Sequence, residues 1–234
     1  MVYGEIGRYP LHIEIKNRII MFWHKLVSCN NLSSMIYRLM FKLQENGIMQ
    51  FKWLSNVKSI FSETGLNYVW DYHQTCTLSR DYLKQIVKQR LQDQYIQKWF
   101  NDIDISSRGQ TYSVFKSNFG LEKYLLRLKP KNRQFILKFR TSNMHLPIET
   151  GRWIGLPRYD RTCNLCSQKI GDEYHYLFKC ENVLVKDIRE RYIPNYYYKY
   201  PSHVKMQGLF AICNVKIISN VGIFLEKLEK LLIL

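Results

Sequence analysis

A chain of 234 residues with 46% apolar side chains has enough material for a buried core without disulfide staples, so a disordered chain is not expected. Its 35 Lys and Arg outnumber 19 Asp and Glu, and the net charge of +16 favours a polyanionic partner, nucleic acid first and an acidic membrane surface second. The opening MVYGEIGRYPLHIEIK mixes charge and apolar residues unlike a signal peptide, and Met206 to Leu225 is broken by Asn214, Lys216, Ser219 and Asn220, which makes a poor membrane span.

Helical periodicity runs through the chain. After Pro10, the residues Ile15, Ile19, Phe22, Trp23 and Leu26 share one helix face. Ser33 or Ser34 is placed to cap the next helix, where Ile36, Leu39, Met40 and Leu43 repeat the pattern until Gly47 stops it. Ser79 is an N-cap candidate for a longer helix carrying Tyr82, Leu83, Ile86, Val87, Leu91, Tyr95, Ile96 and Trp99, expected to end near Asn101. The stretch Ser106 to Gln110 reads as a loop and as a domain boundary. Leu121, Tyr124, Leu125 and Leu128 form a short amphipathic segment ended by Pro130, and Phe135, Ile136 and Phe139 form another. Val183 to Arg191 reads as a helix. In the tail, Ile217, Ile218, Val221, Phe224, Leu225, Leu228, Leu231 and Leu232 face one way and Lys216, Glu226, Lys227, Glu229 and Lys230 the other, so it should dock on the body or on a partner.

The expectation is therefore an all-α protein, an irregular helical array with a small CCHC zinc-binding hairpin. Its regions are an N-terminal helical part (1–105), a basic helical part (106–160), the zinc motif (161–182) and C-terminal helices (183–234).

The zinc motif rests on Cys163, Cys166, His175 and Cys180. Two thiolates at C-x2-C spacing can turn to one metal from a tight hairpin, and the H-x4-C step is expected to set imidazole and thiolate about one helical turn apart. Gly171 lies where the chain must reverse, a place for positive φ. Three cysteines and one histidine fill a tetrahedral shell, so the zinc is expected to be structural rather than catalytic. Asp172 and Glu173 are read as a solvated acidic turn, with orientation of His175 as the alternative.

Between Leu121 and Arg140, the seven cations Lys123, Arg127, Lys129, Lys131, Arg133, Lys138 and Arg140 face the single acid Glu122. Arg152, Arg158, Arg161, Lys169 and Lys179 extend the excess, with Tyr124, Trp153 and Tyr159 interleaved as stacking platforms for bases. Tyr196 to Tyr198 are read as a packed loop. Catalytic patterns are missing: there is no Asp-Asp pair for two metals, no glycine-rich phosphate loop, no G-x-S-x-G and no H-E-x-x-H, while Asp102 and Asp104 read as a turn. The pairs His24 with Cys29 and His73 with Cys76 are the nearest approach to a thiol nucleophile and its base.

The stretch Arg161-Thr-Cys163-Asn-Leu-Cys166, with Asp172-Glu173-Tyr174-His175-Tyr176-Leu177-Phe178 and Cys180, resembles the C-terminal zinc-binding segment of LINE-like (non-LTR) retrotransposon reverse transcriptases. The opening Val2 to Pro10 and the segment Phe22-Trp23-His24-Lys25-Leu26 resemble the region that follows the polymerase domain in those frames. The resemblance implies a fragment that grips RNA or DNA beside the polymerase part of the same element. It does not extend to synthesis or nicking, whose residues are absent. The expectation is a non-catalytic nucleic-acid-binding protein, cytoplasmic or nuclear in a reducing compartment, with no membrane role and no small-molecule substrate. The alternatives are a zinc-stabilised protein-interaction module and, more remotely, a cysteine-dependent enzyme.

Overall fold

The computed structural model describes residues 1–72, 78–212 and 214–233. His73, Cys76 and Cys213 lie outside the described residues. The regular elements are helices, α1 (Val2–Ile6), α2 (Leu11–Ser28), α3 (Leu32–Glu45), α4 (Lys52–Glu63), α5 (Asn67–Asp71), α6 (Arg80–Ile105), α7 (Gly109–Phe115), α8 (Lys123–Arg127), α9 (Pro130–Arg140) and α10 (Pro147–Trp153). A 3-10 turn (Arg158–Asp160) and a π-helical segment (His175–Lys179) precede α11 (Val183–Tyr192), α12 (Asn195–Lys199), α13 (His203–Ala211) and α14 (Val215–Ile233). Strand pairing among the described residues is limited to the isolated bridges Ile6 with Leu121 and Thr162 with Ile170. The all-α expectation is met.

Two compact units divide the chain, Tyr9–Lys98 and a larger one made of Met1–Arg8 with Trp99–Leu234. The expected boundary at Ser106 to Gln110 thus lies inside the larger unit. Only Ser106 to Arg108 links α6 to α7, because α6 runs past Asn101 to Ile105 and α7 starts at Gly109.

In the smaller unit, Ile20, Leu54, Val57, Phe61, Leu66, Leu83 and Val87 make a closed core around Trp23. The face of α2 that is buried carries Ile13, Asn17, Ile20, Met21, Trp23 and Leu26, while Ile15 and Phe22 are exposed. The helix is apolar on overlapping stripes, and contact with α4, which the sequence reading passed over, selects one of them. On α3 the outcome is sharper: Tyr37 is buried, donors and acceptors meet in Trp23 Nε1–H to Tyr37 Oη at 3.1 Å, and Ile36 and Leu39 are exposed. Its cap is Asn31, whose Oδ1 accepts from the Ser34 amide at 3.0 Å, rather than either serine. Gly47 ends the segment as expected, at φ 71.

The larger unit joins residues from three of the expected regions in one core, with Phe139, Cys163, Tyr176, Val185 and Phe224 all buried in it. The tail docks on the body: α14 buries Ile218, Val221, Phe224, Leu225 and Leu228 against α9 and α11. Each such side chain contributes about 1.5–3 kcal/mol, whereas a surface ion pair such as Lys230 with Glu226 contributes about 0–1 kcal/mol, so the apolar stripe decides the docking. Glu229, expected on the solvent face, is buried and accepts from the His145 amide and Nδ1 at 3.2 and 2.9 Å. Pro130 ends nothing; it opens α9 as its first residue, where a missing N–H is harmless. No single helix among the described residues is long and apolar enough to cross a membrane.

Candidate metal centre

Cys163 and Cys166 sit on a small hairpin closed by Cys163 N–H to Lys169 O at 2.8 Å and Gly171 N–H to Arg161 O at 2.9 Å. Between the two cysteines and the return strand the chain turns at Ser167, which adopts φ 56 and donates its amide to Cys163 O at 2.8 Å. The left-handed residue is therefore Ser167 and not Gly171. Gly171 is required for a different reason, since a Cβ there would lie 2.8 Å from Pro147 Cγ and 3.1 Å from Cys163 Cα.

His175 and Cys180 come from the π-helical segment, closed by Cys180 N–H to His175 O at 2.8 Å. Residues five apart on an α-helix point about 140° away from each other at 100° per residue. The i to i+5 hydrogen bond of a π turn brings them back toward one side, so the expected single-turn relation is met by a π turn rather than an α turn. Arg189 of α11 holds this unusual end: its Nε donates to Leu177 O at 3.0 Å and its Nη2 to Cys180 O at 2.8 Å. Burial lowers the Arg189 pKa from its ordinary value.

The ligand atoms of Cys163, Cys166, His175 and Cys180 all lie within 4.8 Å of one another and can hold one metal ion. Cys163 Sγ and Cys180 Sγ are 3.8 Å apart, and Cys166 Sγ is 3.3 Å from His175 Nε2. Cys163, His175 and Cys180 are buried and Cys166 is half-buried, so the cluster is enclosed. The hydrogen bond shared by the Cys163 and Cys180 sulfurs draws Cys163 below the ordinary thiol range and pushes Cys180 above it. The Tyr176 phenol is fully buried 3.2 Å from Cys163 Sγ, and burial pushes its pKa up.

Neither neighbouring acid orients the histidine ring. Asp172 Oδ1 accepts from the His175 amide at 2.8 Å, and His175 Nδ1 is buried with no hydrogen-bond partner among the described residues. Glu173 is not solvated either. It is 1% exposed, accepts from Ser142 Oγ at 2.8 Å, and burial raises its pKa to about 6.

The ten cations expected to form a basic face are not brought together as one surface. Arg140 is buried, with its Nη2 2.9 Å from Glu5 Oε1 and its Nε 3.1 Å from Glu5 Oε2, and Tyr124 donates to Glu5 Oε2 at 2.6 Å. A helix-facing guanidinium and its aromatic neighbour thus belong to the core, not to a stacking surface. Arg161 donates to Leu156 O at 2.6 and 2.9 Å and to Ile148 O at 3.0 Å, tying the loop after α10 to the hairpin. Arg133 donates to Leu125 O at 2.9 Å, and Arg152 pairs with buried Glu149 at 2.6 Å. Lys131 and Lys138 pair with Glu226 and Glu229 at 2.9 and 3.8 Å. Lys123, Arg127, Lys129 and Arg158 are exposed, as are Lys169 and Lys179. Trp153, the last residue of α10, and Tyr159, in the 3-10 turn, are exposed by 55% and 73%. Tyr196 to Tyr198 lie in α12 rather than a loop, with Tyr196 exposed and the Lys205 ammonium 4.4 Å from its ring centroid.

Ser167, Tyr176 and Arg189 support the centre and were not singled out from sequence; a serine after the second cysteine of a C-x2-C turn was the one available signal. No family model, curated protein or solved structure matches the chain.

Proposed function

We propose that the chain is a non-catalytic nucleic-acid-binding module built around one structural zinc ion, and that it is a C-terminal, post-polymerase fragment of a LINE-like reverse transcriptase. The observation that carries the binding reading is the segment from the end of α10 to the 3-10 turn: exposed Trp153 and Tyr159 with exposed Arg158, tied to the metal hairpin by Arg161. Aromatic faces for bases next to a cation for phosphate are what a single strand needs. The origin rests on the sequence resemblance alone.

Zinc fits the donor set. Bonds of about 2.3 Å to sulfur and about 2.0–2.1 Å to nitrogen give tetrahedral edges of about 3.8 Å between sulfurs and about 3.5 Å between sulfur and nitrogen. The separations of 3.8 and 3.3 Å are close to these. Three thiolates and an imidazole suit zinc over harder cations, and four protein ligands leave no position for a reacting water. The Tyr176 hydroxyl, which donates to Asn164 Oδ1 at 2.5 Å, stands 3.2 Å from Cys163 Sγ and holds a buried phenol against that ligand. The zinc-free chain should lose the hairpin, since binding and folding free energy are shared in such sites.

A protein partner for the Tyr9–Lys98 unit is favoured by a separate observation, an apolar groove of about 350 Å³ lined by Phe22, Leu26, Ile36, Tyr37, Met40 and Trp53. The polymerase part of the same element is the candidate.

Titrating single-stranded RNA and DNA at rising salt tests the first reading, with affinity expected to fall steeply as phosphate contacts release counterions. No binding at low salt removes it. Metal analysis should find one zinc per chain, and Cys163→Ser should lose the ion together with stability; a metal-free chain of equal stability removes the zinc reading.

A further inference from the structure

Beside the metal centre, between α7, the turn at Asp172 to Tyr174 and the start of α13, lies a cavity of about 190 Å³ whose lining includes Thr111, Arg158, Glu173, Tyr174, His203 and Met206. Glu173 is its unusual member. The carboxylate is buried, yet its hydrogen-bond donors among the described residues are neutral: its own backbone amide, Ser142 Oγ at 2.8 Å and Thr111 Oγ1 at 3.3 Å. A carboxylate offers about four acceptor sites, and a buried one without a counter-ion is rare unless something else meets it. Tyr174 and His203 stack with centroids 4.7 Å apart and planes 19° from parallel, giving the cavity an aromatic wall, and exposed Arg158 stands at its rim.

These features sort ligand classes. A free cation suits Glu173 and Asp172, which also lines the cavity, but is opposed by Arg158 and a net charge of +16. A lone phosphate suits Arg158 but is repelled by Glu173. A nucleotide satisfies both, with its ring against the aromatic wall, its N–H edge on the carboxylate and its phosphate on the guanidinium. The volume is below the roughly 300–1,000 Å³ of sites for drug-sized ligands, so it takes one ring system. Among bases, guanine presents two parallel donors, N1–H and N2–H, to a carboxylate. Adenine and cytosine offer an amino group beside a ring acceptor, and uracil a single N–H between two carbonyls.

We propose that this cavity receives one unpaired guanine base. The proposal deepens the nucleic-acid reading above, and the test separates the two. Zinc-loaded full-length protein is titrated with GMP, AMP, CMP and UMP, and separately with oligo(U) at low and high salt. GMP is expected to bind at least about tenfold tighter than UMP, the scale of a charge-assisted hydrogen bond, and Glu173→Gln to abolish that preference. Melting and zinc content monitor folding of this buried variant. Should Glu173→Gln unfold, exposed His203→Ala decides, with weakened GMP binding and an unchanged melt expected. Equal affinity for the four nucleotides, or unaltered GMP binding in His203→Ala, overturns the pocket even where oligo(U) binds. A GMP preference without any oligo(U) binding sustains the pocket and overturns the strand-gripping reading instead.

Discussion

Replacing Arg140 by methionine separates a cation that builds the fold from one that contacts nucleic acid. The guanidinium is buried, makes a two-point contact with Glu5 and lies 3.3 Å from Glu122 Oε2. Without it, Glu5 keeps the neutral hydroxyls of Tyr124, at 2.6 Å, and Tyr112 but loses its paired guanidinium in a site with no exposure. Breaking a buried pair in this way costs about 3–5 kcal/mol. At about 2–4 °C per kcal/mol for a chain of this size, the melting temperature should fall by about 6–20 °C. The double variant Glu5→Gln with Arg140→Met removes the stranded charge and should recover a large part of that loss, because the penalty belongs to the unpaired carboxylate more than to the missing attraction. Thermal melts followed by circular dichroism measure the first effect, and RNA binding well below the melt should be unchanged. A variant that melts like the parent while losing RNA affinity would refute the assignment of Arg140 to the core.

Three further outcomes are expected. Gly171→Ala pushes a methyl group to 2.8 Å from Pro147 and 3.1 Å from the Cys163 backbone, and should cost about 1–3 kcal/mol with weaker metal retention against a chelator. Ser167→Gly relieves a left-handed serine at φ 56; the relief of about 1–2 kcal/mol exceeds the added chain entropy of about 0.4–1 kcal/mol, so the melt should rise slightly at unchanged zinc content. Trp153→Ala and Tyr159→Ala should each weaken single-strand RNA binding by about 1–3 kcal/mol, roughly 5- to 150-fold, with no change in melting, as both rings are exposed; a large melting shift would instead assign them to the core.

The Cys3His cluster was legible because cysteine and histidine at short spacing are a local signal, and the tail was legible because one apolar stripe dominates it. The parts that were not depend on distant partners. Nothing near Arg140 in the chain announces Glu5, 135 positions away, so a core guanidinium reads like a solvent-facing one. On α3, periodicity identified an apolar face, but Ile36 and Leu39 remain exposed because burial goes to Tyr37 through Trp23. The π turn under His175 was hidden for a physical reason: the H-x4-C spacing fits neither an α turn nor a strand, and only the demand for a common ligand centre makes the extra residue intelligible. Glu173 looked like a solvated acid since its hydroxyl partners, Ser142 and Thr111, come from other elements.

The fate of the cations also changes what nucleic-acid binding should look like. If the ten arginines and lysines from Lys123 to Arg161, with Lys169 and Lys179, all met phosphates of a single strand, the salt dependence would have a log–log slope of about −8. Arg133, Arg140, Arg152 and Arg161 are instead committed to carbonyls and carboxylates of their own chain, and Lys138 is half-buried beside Glu229 of α14. Of the twelve, Lys123, Arg127, Lys129, Lys131, Arg158, Lys169 and Lys179 are exposed, which brings the slope to about −5 or shallower. The internal arginines cannot steepen it, since the buried Glu5 pair makes the cost of leaving their partners prohibitive, so a measured slope near −8 would enlist exposed cations outside this set, such as Lys84 and Lys88 of α6. A shallow slope with strong retained affinity at high salt points the other way, to the aromatic contacts at Trp153 and Tyr159, since stacking releases no counterions.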